Sequence, residues 1–178
     1  MDTSLAATLI DTAFKVGTGA LIAVLTGWFV LRQNHAPGPR ALREQKRLDV
    51  FEDVSAYVGQ VTHIFSQYSS LASEATELGD HWPSARREEL DKVTESLATI
   101  FEKMAAAEAK LLILAEKNLE RSLKIYAGQI VAFRRQVYPG RKDITAAQIG
   151  ALRQNVLQAR ESFYDLLSRK YDKVLAGA

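Results

Sequence analysis

The sequence predicts an all-α protein: one N-terminal transmembrane helix followed by an antiparallel bundle of three to four long helices. Three observations carry this. Val16–Leu31 (VGTGALIAVLTGWFVL) holds no charged residue and is followed by Arg32, Arg40, Arg43, Lys46 and Arg47. Beyond that cluster, apolar residues recur at alternating spacings of three and four, the period of a helix face. The four prolines fall between these apolar stripes, at Pro37, Pro39, Pro83 and Pro139. The organisation that follows is an anchor over 1–33, a linker over 34–39 and a bundle over 40–178.

A spanning helix needs about 17–25 mostly apolar residues. Extending Val16–Leu31 back through Leu5–Phe14 gives ample length but brings in Asp11 and Lys15. These two are four apart, so on a helix they share a face and can pair, and the Lys15 ammonium can reach toward headgroups. Trp28 sits near the opposite boundary, where an indole is at home. The basic residues after the stretch, against Lys15 alone before it, place the C-terminal side in the cytoplasm by the positive-inside rule. The expected arrangement is thus a membrane crossed once, with the N-terminus outside. A cleaved signal peptide fits less well. Asp2 and Asp11 precede the apolar core with almost no positive charge, and Gln33–Ala36 lacks a small-x-small cleavage site. Gly19, Ala23 and Gly27 form a small-residue stripe that lets two such helices approach closely. Asp11 and Lys15 lie near the same ridge.

Pro37-Gly38-Pro39 breaks the helix. A first bundle helix is expected from Arg40 to Leu78, its face made by Phe51, Val54, Val58, Val61, Phe65, Tyr68, Ala72 and Ala75. Val50, Tyr57, Ile64, Leu71 and Leu78 widen that face beyond a two-stranded coiled-coil seam, which points to a bundle. Gly79–Pro83 turns the chain. The next helix starts near Ser84 with Leu90, Val93, Leu97, Ile100, Met104, Ala107, Leu111 and Leu114. The register then slips to Leu112, Ala115, Leu119, Leu123, Tyr126, Ile130, Phe133 and Val137. Either one helix runs uninterrupted to Tyr138, about 80 Å at 1.5 Å per residue, or the chain breaks around Ala115–Asn118; the break is favoured because neighbouring helices cannot cover the longer rod. Tyr138–Asp143 is a turn. Thr145 with Gln148 makes a capping box for the last helix, whose face is Ile149, Leu152, Val156, Ala159, Phe163 and Leu166, then Leu167, Tyr171 and Val174.

The net charge of +2 makes the whole chain a poor polyanion binder, so any basic function belongs to local clusters. The absence of cysteine removes disulfides, cysteine–zinc sites, thiol nucleophiles and lipidated cysteines. No glycine-rich phosphate loop, nucleophile elbow, H-E-x-x-H or EF-hand loop occurs. The sequence therefore implies no catalytic residue, no cofactor and no metal. Glu74, Glu77, Asp80 and His81 gather where a divalent cation could be held, but read most simply as a solvated helix end; His35 and His63 suggest nothing further.

Two basic groups remain. Arg40 to Arg47 lie directly after the apolar stretch, where cations attract anionic lipid. Arg134, Arg135, Arg141 and Lys142 join that belt if the second helix is continuous, and become a partner surface far from the bilayer if it breaks. Neither has the aromatic platforms or reading motif of a nucleic-acid binder.

Leu31-Arg32-Gln33-Asn34, the opening Glu44-Gln45-Lys46-Arg47-Leu48-Asp49-Val50-Phe51-Glu52, and Lys110-Leu-Leu-Ile-Leu-Ala-Glu-Lys117 carry one resemblance. Together they look like the corresponding parts of small bacterial membrane-anchored helical proteins. That resemblance implies a bacterial source and a break after Leu114, and no activity. The expected function is a non-enzymatic scaffold or adaptor presenting the bundle at the cytoplasmic face to an unknown protein partner or to itself. The alternative is an oligomerising membrane-perturbing effector of a bacterial defence or toxin system. An enzyme would need polar groups from separate helices meeting in a pocket, which spacing alone does not reveal.

Overall fold

The computed structural model describes residues 38–177. Among these, four helices follow in order: α1 (Pro39–Leu78), α2 (Ser84–Ile113), α3 (Lys117–Gln136) and α4 (Ala146–Gly177), with a short 3-10 turn at Gly79–His81. The chain divides into Met1–Leu42 and Arg43–Ala178; the packing below concerns the second part. Among the described residues no helix is long and apolar enough to cross a membrane. Val16–Leu31, the Gly19, Ala23 and Gly27 stripe, Asp11, Lys15 and Arg32 lie outside the described residues.

The helices run up, down, up and down. Lys110 Nζ meets Asp53 Oδ2 at 2.7 Å toward one end of the α1–α2 pair, and Arg86 Nη2 meets Glu74 Oε2 at 2.5 Å toward the other, so the two are antiparallel. α4 also runs antiparallel to α1: Tyr171 donates to Glu52 Oε1 at 2.9 Å, Tyr164 to the Ser55 carbonyl at 3.1 Å, and Arg153 to Ser73 Oγ at 3.4 Å. α3 lies across the core, parallel to α1. The Phe65 and Phe133 rings meet edge-on at 5.1 Å and 84°, and Tyr68 and Phe133 at 6.3 Å. Such edge-to-face pairs contribute about 0.5–1.5 kcal/mol beyond area burial.

The apolar stripe expected on α1 forms the core. Phe51, Val54, Val58, Val61, Phe65, Tyr68, Ala72 and Ala75 are all buried, as are Leu119, Leu123, Tyr126, Ile130, Phe133 and Val137. Tyr126 is fully enclosed. The Thr62 hydroxyl donates to the Val58 carbonyl at 2.7 Å, so the hydrogen in its 3.0 Å contact with Tyr126 comes from the phenol. Burial pushes the Tyr126 phenol up to about 12.

Three turns connect the helices. At the first, Gly79 takes φ 55°, the left-handed conformation that closes α1, and buried Trp82 donates its backbone N–H to the Gly79 carbonyl at 3.2 Å. The break between α2 and α3 is present, and it corrects part of the sequence stripe. Ala115 has φ 58°, the one non-glycine positive φ among the described residues. Its N–H bonds to the Leu112 carbonyl and the Glu116 N–H to the Leu111 carbonyl, both at 2.9 Å. This is the left-handed helix stop that glycine usually makes, here made by alanine. Leu112 and Ala115, expected on the buried stripe of α3, are exposed: Leu112 belongs to α2, whose core position there is taken by Leu111, and Ala115 is the turn itself. Leu78 is exposed as well, at the end of α1. At the third turn the capping box forms: Thr145 N–H to Gln148 Oε1 at 2.8 Å and Gln148 N–H to Thr145 Oγ1 at 3.3 Å.

Candidate functional site

The two ends of the bundle gather its cations differently. One end consists of the first turns of α1 after Leu42, the α2–α3 turn and the last turns of α4. The left-handed turn aims the Glu116 side chain inward, where it is 5 % exposed. Arg47 reaches it from α1 through Nη2 to Oε1, and Lys170 from α4 through Nζ to Oε2 at 2.9 Å. One carboxylate thus ties together three elements distant in sequence. Both cations are about a third exposed, so the triad is half in water. A cleft of about 220 Å³ opens beside it, lined by Glu44, Lys173 and Val174 as well as by the triad. Of the cations expected to face the membrane, Arg40, Arg43 and Lys46 are exposed, and Arg47 is drawn into the triad.

The other end holds the four cations expected as a partner surface. Arg134 is half-buried, its guanidinium 5.5 Å from the centre of the Tyr68 ring. The Tyr68 hydroxyl donates to the Val137 carbonyl at 3.2 Å, and burial raises its pKa. Arg141 is held by Asp143, at 2.9 and 3.3 Å, and by the Gln136 carbonyl at 2.6 Å. The Arg141 guanidinium keeps the Asp143 carboxyl below the usual range. Arg135 and Lys142 are exposed, Lys142 within 3.4 Å of Asp80. Pro139–Lys142 and Trp82 border a cleft of about 310 Å³. The break thus places this loop at the end of the bundle opposite the start of α1.

Of the acidic group that could have held a cation, Glu74 is committed elsewhere. Arg86 embraces Glu74 through Nε at 3.2 Å and Nη2 at 2.5 Å, and Trp82 Nε1 donates to the same carboxylate at 3.1 Å. The arginine lowers the Glu74 pKa. Among the described residues no three His, Asp or Glu side chains are arranged to hold a metal ion. A groove of about 530 Å³ between α1 and α4, floored by Phe51 and Leu167, is rimmed by Tyr164 and Tyr171.

Sequence reasoning missed Glu116. It lies within the break expected around Ala115–Asn118, where no pattern marks a buried acid, and its Arg47 partner is 69 residues away. Its chemistry is that of a structural tie with a cationic rim.

The fold defines the class as an all-α, up-and-down helical bundle. No family model, no curated protein and no solved structure matches the chain.

Proposed function

We propose that this protein is a single-span, membrane-anchored scaffold or adaptor that presents its helical bundle at the cytoplasmic face of a bacterial inner membrane. One observation carries the reading: the uncharged stretch Val16–Leu31, its cationic flank, and only seven residues between Leu31 and the start of α1 at Pro39. Tethering in a plane raises effective concentration and turns weak contacts into persistent ones. Ties between helices, such as Arg86–Glu74, Lys110–Asp53 and the Glu116 triad, support a rigid platform. Arg135 and Lys142, at the end opposite the α2–α3 turn, are exposed to a partner, Lys142 beside the exposed Asp80 carboxylate.

The test is purification of the full chain in mild detergent from native membranes, followed by mass spectrometry. One reproducible stoichiometric partner, lost on Arg135→Glu with Lys142→Glu, supports the adaptor. Recovery of a bare homo-oligomer that releases dye from liposomes instead supports the membrane-perturbing effector, a reading motivated by Gly19, Ala23 and Gly27. In that case Gly19→Ile and Gly27→Ile, which put bulk where backbones would meet, abolish leakage.

A further inference from the structure

We infer that the α2–α3 turn is a second, reversible contact with the bilayer, made by Leu112 and Ile113 on a surface of anionic lipid; this rests on the reading that Val16–Leu31 spans the membrane. Ile113 is 83 % exposed, the highest value among the exposed large apolar residues, and its neighbour Leu112 is 50 % exposed. They are adjacent at the last turn of α2, beside a backbone bent into the left-handed region, so the turn holds them outward. A single exposed apolar side chain is ordinary. Two in succession at a tip, flanked by cations, match the chemistry of an interfacial membrane contact, in which apolar groups enter the acyl boundary and cations meet phosphates.

Charge points to the same occupant. Lys117 is the first residue of α3 and is exposed. A cation is disfavoured there by the helix dipole, so its position works against α3 while suiting a phosphate outside. Lys46 of α1 and Lys173 of α4 are exposed at the same end. Two acids of this end are buried, and both are taken: Glu116 by Arg47 and Lys170, Glu120 by Lys124. Of the other acids here Asp53 is taken by Lys110 and Glu52 accepts from Tyr171, which leaves Asp49 and Asp172 exposed and Glu44 and Glu108 half-buried against exposed Arg43, Lys46, Lys117 and Lys173. This is also the end from which the chain runs back toward residues 1–37, which contain the uncharged stretch.

The chain has no cysteine, so single labels are clean. The full chain, carrying Ile113→Cys or Tyr138→Cys labelled with an environment-sensitive fluorophore, is reconstituted into phosphatidylcholine vesicles with or without phosphatidylglycerol. Some of the lipid carries a shallow nitroxide. Tyr138, 47 % exposed, is the control at the opposite end. With anionic lipid the label at position 113 is expected to shift to the blue and to lose about half its emission to the nitroxide, while the label at 138 does neither. Lys46→Glu, Lys117→Glu and Lys173→Glu together return the signal at 113 to its value in neutral vesicles. Co-flotation with unquenched emission at 113 overturns this inference alone. A blue shift at 113 that grows with the protein-to-lipid ratio without nitroxide quenching also overturns it, and assigns the tip to a second copy. Failure of the chain to float with the vesicles overturns the anchoring reading and this one with it.

Discussion

Ala115→Gly tests the break between α2 and α3 through the sign of its effect. Ala115 sits at φ 58°, and an L-residue in the left-handed region costs about 1–2 kcal/mol relative to its preferred conformations. Glycine removes that cost but adds about 0.5–1 kcal/mol of backbone freedom to the unfolded chain. Ala115 is exposed, so little side-chain packing is lost. The net expectation is stabilisation by about 0.5–1 kcal/mol. If one helix ran through this position, the same substitution would fall in a helix interior and destabilise by about 1 kcal/mol. The two architectures therefore predict opposite signs. Urea unfolding of the full chain in nonionic detergent, followed by far-ultraviolet circular dichroism, measures this. With a slope of about 1.5–2 kcal/mol/M, the midpoint is expected to rise by about 0.3–0.7 M. A fall in the midpoint at unchanged slope refutes the turn.

Three further outcomes follow from the same geometry. Gly128 is exposed within α3, and a Cβ built there meets nothing within 4 Å, so Gly128→Ala is expected to stabilise by about 0.5–1 kcal/mol in the same assay. Glu116→Ala strands Arg47 and Lys170. Removing one partner of a fully buried pair costs about 3–5 kcal/mol, but these cations are a third exposed, which reduces the expectation to about 1–3 kcal/mol; an unchanged midpoint would show that the triad ties nothing together. The Tyr126 phenol, raised to about 12 by burial, binds its proton more tightly in the folded state. Its contribution is therefore complete below pH of about 10 and is lost as pH rises from there toward 12. Ultraviolet titration of the native chain should show this tyrosine ionising late, and Tyr126→Phe with Thr62→Val should take one phenol out of the late ionisation while Tyr68, also raised by burial, remains in it.

Much of the bundle was legible because its signals are local. The three-four rhythm from Phe51 to Ala75 identified a face that is buried in its entirety, and Thr145 with Gln148 announced a cap that forms. The break was legible only as a slip in register. Periodicity does not show where a helix stops, so Leu112 and Ala115 read as part of a face they do not join. Nor does alanine signal a left-handed stop as glycine would at position 115. The partners of Glu116 come from α1 and α4, and no local pattern connects them. The cations at the Tyr138 end were recognisable as a group. Their division into Arg134 and Arg141, which are engaged, and Arg135 and Lys142, which face outward, depends on where Tyr68, Asp143 and Gln136 lie in three dimensions.

The measurement that bears most directly on the whole account is labelling of single cysteines by an impermeant maleimide in spheroplasts, followed by fractionation. An anchored, inward-facing bundle predicts that every variant stays with carbonate-washed membranes, that Ser4→Cys reacts from outside, and that Tyr138→Cys reacts only after lysis. Release of the chain into the wash, or reaction of Tyr138→Cys in intact spheroplasts, contradicts it.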